Sequence, residues 1–126
     1  MGRWLVALGA VQGFLAVVAA AAAAHLAAGR LEGRAMRAVD AAVQLQGWHA
    51  LAVVACGLWA VRLGAAEGGA LAGWAGVAFL VGSLLFCGAA WMSGAAGVSL
   101  GPTAPAGGLA LMLGWLLLAA SALRAG

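Results

Sequence analysis

Four apolar stretches, at about residues 4–28, 42–63, 69–91 and 104–123, whose one charge is Arg62 at the very end of the second, leave this chain few ways to fold. Each approaches the roughly 20 residues that a helix needs to cross a hydrocarbon core of about 30 Å. Lipid offers no water to an unpaired backbone group, so runs of this length cross as helices. What remains is short connections, with no room for a soluble domain. Composition agrees, since 67% of residues are hydrophobic and 7% are charged, against about a quarter charged in soluble domains. The expectation is a single all-α transmembrane domain over 1–126, a four-helix bundle of up-down order. The first stretch also has the outline of a signal peptide, with Arg3 ahead of it and an alanine run behind. Its length exceeds the usual apolar region of about 7–15 residues, and cleavage would leave three spans, so it is read as a helix.

The charges fall between or at the ends of these stretches. All six basic residues are arginines (Arg3, Arg30, Arg34, Arg37, Arg62 and Arg124), against Glu32, Asp40 and Glu67. Such a basic balance points to nucleic acid in a soluble protein, but here it fits loops facing anionic headgroups, and nucleic acid is set aside. In the connector at about 30–41, Arg30, Arg34, Arg37, Asp40 and Gln44 gather on one side of a helical wheel. Leu31, Ala35, Ala38, Val39 and Ala42 gather on the other. That pattern predicts a short amphipathic surface helix between helices one and two, with Glu32 on the wrong side and Gly33 weakening it. Either an arginine-dressed surface or a patch for lipid or a partner would read this way.

An even number of spans puts both termini on one side. The arginine count is tied between the sides, but Arg30, Arg34 and Arg37 flank the first helix against Arg3 alone. The positive-inside rule then leans towards a cytoplasmic connector and termini outside. Trp4, Trp48, Trp59, Trp74 and Trp91 fall within a turn or two of the expected helix ends, as an aromatic belt requires. Trp115 sits deeper and needs another explanation. Thr103 is placed to cap the last helix, with Pro105 in its first turn.

Helices in lipid associate by close backbone approach, which small residues permit. Gly9, Gly13, Gly73, Gly82, Gly108 and Gly114 are the candidate packing positions, and Gly9–Gly13 and Gly69–Gly73 have the four-residue spacing. They seal either this chain's own bundle or a subunit interface. Cys56 and Cys87 lie inside apolar runs and read as buried free thiols.

Polar residues near the membrane collect around two histidines. His25 ends the first stretch and His49 lies early in the second, so both are expected near one membrane face, within reach of Gln46, Trp48 and Cys87 and with Met92 at similar depth. Three readings follow. The imidazoles join helices one and two by hydrogen bonds. Or they ligate a metal or haem, although no compact motif such as HxxxH or CxxC occurs. Or they form a titratable element in an oligomeric transporter or channel. No nucleophile–base pair, paired intramembrane carboxylates or phosphate loop is present, so no catalytic residue, cofactor or resident metal is expected. Ser83, Ser93, Ser99 and Thr103 read as caps or helix contacts.

The segments "AAAAHLAAG", "LQGWHALAVVA", "GSLLFCGAAWM" and "APAGGLALMLGWLLL" resemble the family named domain of unknown function 423. His25, His49-Ala50-Leu51, Gly107-Gly108 and Gly114-Trp115 carry the resemblance. It implies a small four-helix bacterial membrane protein without an assigned activity. This chain lacks the family's tyrosine ahead of the second histidine and its Phe-Gly ahead of the first. The expected role is non-enzymatic, structural or accessory, in the bacterial inner (plasma) membrane. The expected contacts are lipids, further copies of the chain or a larger membrane complex.

Overall fold

The computed structural model describes residues 1–27, 29–31 and 33–125, without the side chains of Leu26 and Ala27. The expected end of the first span at Ala28, and the wheel position of Glu32, lie outside the described residues. The described chain is 88% helical, with four membrane-length helices and no strand. They are α1 (Gly2–Ala22), α2 (Gly33–Leu63), α3 (Glu67–Ala96) and α4 (Thr103–Leu123), with a π-helical turn, Ala23–Ala27, prolonging α1. The chain is a multi-pass membrane protein.

The antiparallel helices pack in chain order, α1 on α2, α2 on α3 and α3 on α4, with a smaller contact of α1 on α3. The central α2–α3 pair is therefore flanked by α1 and α4. A core of Leu5, Ala52, Val53, Cys56, Ala75, Phe79 and Leu111 draws on all four helices. Outside it, Trp4, Phe14, Leu51, Leu109 and Leu116 face outward, which suits a surface solvated by acyl chains. Both termini share one end of the bundle, where Arg124 pairs with Glu67.

Helices one and four fit the expected spans closely, whereas α2 and α3 overrun theirs. The 31 residues of α2 measure about 47 Å. By contrast α4 measures about 31 Å over 21 residues, one hydrocarbon thickness. The stretch of α2 between Asp40 and Arg62 that carries no charge has the same length. From the contacts of Gly82, Gly107 and Gly94, the start of α4 lies level with about Gly88 and Val43. The first ten or so residues of α2 hence project about 15 Å beyond the hydrocarbon, and the last turns of α3 about 12 Å.

This corrects one expectation. The amphipathic connector is helical, but it continues the axis of α2 and is not a separate surface helix. Its apolar side is used against α3: Val39 and Ala42 are fully buried, and Val39 and Ala35 close over Gly94. No Pro or Gly interrupts 34–46, so nothing turns the chain where it enters the membrane. The break comes earlier, at Gly29 (φ 79°) and Gly33 (φ 57°). The far end of the projection stops at Gly97 in the left-handed region (φ 67°), where Val98 N–H bonds the Met92 carbonyl at 3.0 Å. The Gly97 N–H turns to the same carbonyl, so Met92 accepts both amides past the helix end.

Thr103 does not cap α4. Its hydroxyl donates to the Leu100 carbonyl at 2.7 Å, in the turn before the helix. Pro105 sits in the first turn, as its missing N–H allows.

Candidate functional site

Helix register decides which polar residues meet. Gly2 lies against Gly57 and Val61, and Gly9 against Ala50 and Val54. Carried along the antiparallel pair, this sets Gln12 level with His49, and His25 level with about residue 36. The two histidines are therefore about 13 residues of α2 apart, or about 20 Å. His49 lies about 9 Å inside the hydrocarbon boundary at Val43, while His25 lies beyond it. The expected pairing of the imidazoles is thereby corrected. His25 is exposed on the π-helical turn, and His49 is 6% exposed and turned to the rings of Phe79 on α3 and Trp115 on α4.

His49 faces α3 and α4. Its ring centroid is 5.4 Å from that of Phe79 and 6.1 Å from that of Trp115, and Phe79 and Trp115 meet edge-on at 4.9 Å. Edge-to-face contacts at these spacings are attractive through the ring quadrupoles. This explains the tryptophan that no aromatic belt accommodated. Nδ1 of His49 lies 2.8 Å from the Leu45 carbonyl. A carbonyl only accepts, so Nδ1 carries the proton and Nε2 of the neutral ring is a bare acceptor. Nε2 is buried without a partner.

At the same level lies a residue that the sequence reading did not single out. Gln12 of α1 is 3% exposed, and its Nε2 donates to Ser83 Oγ at 2.7 Å. Ser83 in turn donates to the Phe79 carbonyl at 2.7 Å, which leaves Oγ free to accept and fixes the amide orientation. Gln12 Oε1 is then a second buried acceptor without a donor. One tier of the bundle thus holds Gln12, His49 and Ser83 beside Phe79 and Trp115, drawn from all four helices. The signal was available: a glutamine alone in an apolar span nearly always faces a neighbour.

A second clamp sits towards the termini. Trp59 Nε1 donates to Ser121 Oγ at 3.1 Å, and Ser121 donates to the Gly68 carbonyl at 2.6 Å, tying α2, α4 and α3. Cys87 joins α3 to α2 through the Ala42 carbonyl at 3.3 Å. Trp48 is turned outward and Gln46 is half-buried, so neither joins His49 in a common site. Met92 is exposed. Both cysteines are free and buried. Among the described residues no three His, Cys, Asp or Glu side chains gather as a metal site needs.

The glycines divide by task. Gly9, Gly82 and Gly114 sit where an added Cβ would meet a neighbouring helix within 3 Å, and Gly73 lies under the Met1 side chain. Gly13 makes an ordinary contact with Ala50 at 3.7 Å. Gly108 meets nothing within 4 Å; its neighbour Gly107 makes the α3 contact instead, which corrects its expected packing role.

A family model described as "Protein of unknown function (DUF423)" matches residues 19–108. The match takes in His25, His49, Cys87 and Gly107-Gly108, while Gln12, Gly114 and Trp115 fall outside it. No curated protein and no solved structure matches this chain. With well over half its length covered, including both histidines and the Gly-Gly step into α4, the chain belongs to the DUF423 family.

Proposed function

We propose that this protein is a non-enzymatic, structural or accessory component of the bacterial plasma membrane, acting through contacts with helices or lipids. The observation that carries this reading is how the interior polar groups are used. Gln12, Ser83, Trp59, Ser121 and Cys87 each spend their hydrogen bonds on another helix's side chain or backbone, or on holding such a partner. Each bond of this kind is worth about 0.6 kcal/mol in a bilayer. Together they fix the helices in register and leave the outer faces to make contacts. We place the Arg30, Arg34 and Arg37 end in the cytoplasm, since three arginines follow the first helix and one precedes it.

The test is crosslinking in native membranes, followed by mass measurement of the purified protein. The proposal expects a defined adduct with a second copy or another membrane protein, or a retained lipid. A bare monomer that holds neither contradicts it.

One observation favours a second reading. Two buried acceptors at one level, His49 Nε2 and Gln12 Oε1, lack donors. A proton taken up by His49 would supply one, as a titratable element in a transport path requires. Its residues would be His49 and Gln12, with His25 outside the path.

A further inference from the structure

Along the outer side of the α1–α2 contact runs an open groove of about 510 Å³, from Gly9 and Val54 to Ala20 and Val43. Its lining is almost wholly apolar and small on the α1 side, with Gly47, Leu51 and the outward-turned Trp48 on α2. Between Val54 and Val43 it extends about 17 Å along the axis, close to half of a hydrocarbon core of about 30 Å. The groove reaches from near the bilayer midplane to the boundary at the projecting end of α2. A transmembrane helix would continue across both leaflets, whereas a lipid chain ends at the midplane.

The mouth carries matching polarity. Gln44 lines the groove where it meets the boundary. Asp40, Arg37 and Arg34 follow at one-turn intervals on the same exposed side of α2. Two arginines against one aspartate leave one net positive charge, which matches a single phosphodiester. A second copy seated here in the same orientation would bring its own Arg34 and Arg37 against these, an unfavourable approach of like charges.

We propose that the α1–α2 groove is a binding site for one glycerophospholipid of that leaflet. The acyl chain lies over Gly13 and Gly47, the Gln44 amide donates to an ester carbonyl, and Arg37 and Arg34 hold the phosphate. This deepens the contact role above, and it names the lipid as the contact made by this face.

Gly47 makes the test clean, because a Cβ there meets nothing within 4 Å. Gly47→Leu fills the groove without pressing on a helix, and Gly88→Leu on α3, equally unobstructed, is the control. The detergent-purified chain is titrated with dioleoyl phosphatidylglycerol, and bound lipid is counted by native mass spectrometry. One lipid should bind to the parent and to Gly88→Leu. Gly47→Leu should bind about tenfold more weakly, the equivalent of two buried methylenes. Arg37→Gln should weaken binding about fivefold, the usual effect of one basic residue at an anionic surface. Asp40→Asn should strengthen it. Equal affinity in the parent, Gly47→Leu and Arg37→Gln overturns the site. So does a dimer that Gly47→Leu dissolves, which would make the occupant a second copy and leave the contact role standing. Circular dichroism of each variant separates loss of the site from loss of the fold.

Discussion

A histidine in a bilayer is defined by what its two nitrogens meet. At His49 one nitrogen is committed to the Leu45 carbonyl and the other is enclosed by aromatic rings without a donor. At His25 the ring is exposed on a π-helical turn. The two are too far apart to share an interaction, so His25→Ala and His49→Ala should add in their effects on stability to within about 0.5 kcal/mol. Thermal or denaturant unfolding of the singles and the double checks this, and the larger single loss should come from His49. Gln12 and Ser83 should behave oppositely. A cycle of Gln12→Ala and Ser83→Ala should reveal a coupling of about 0.6 kcal/mol, and strict additivity would contradict their bond. The individual histidines stood out in the sequence because they interrupt apolar runs. Their relation did not, because it depends on where α2 begins, and an imidazole shifted by nine residues of helix moves about 14 Å.

At the scale of elements, apolar length identified the four helices and their order without help from structure. It misplaced the start of α2 by nine residues and the stop of α3 by five, for a physical reason. Hydropathy reports where lipid ends, while a helix ends where its backbone turns, and here those points differ by several turns. The projecting part of α2 is amphipathic because it packs on α3, a partner that periodicity cannot tell from a membrane surface. Glycine roles were legible in type but not in position, since adjacent glycines on a helix face directions 100° apart. Gly107 is the sharper test. A Cβ there would fall 2.6 Å from Phe86 N and 2.8 Å from the Gly82 carbonyl oxygen. Gly107→Ala should therefore separate α3 from α4 and cost about 1–3 kcal/mol. Gly88→Ala, with open space around it, should be neutral or stabilising by up to about 1 kcal/mol. Unfolding midpoints in one detergent compare the two directly.

For the whole molecule, the antiparallel order puts the loop at 64–66 on the side of the termini and the loop at 97–102 on the side of the arginine-bearing projection. With that projection in the cytoplasm, a membrane-impermeant maleimide applied to intact spheroplasts should label Ala65→Cys and spare Ser99→Cys. The reverse pattern would invert the orientation. Cys56 and Cys87 are buried and should give no background.

A bundle held by interior clamps has a dry centre, while a transport path has a wet one. Deuterium exchange at the imidazole C2–H, read by mass spectrometry on the protein in lipid nanodiscs, distinguishes them at the two histidines of one molecule. His25 should exchange at the rate of a solvated imidazole, and His49 should remain protonated at carbon over the same period. Comparable exchange at both would mean that water reaches the tier of Gln12, His49 and Ser83, contradicting a contact role built on a sealed interior.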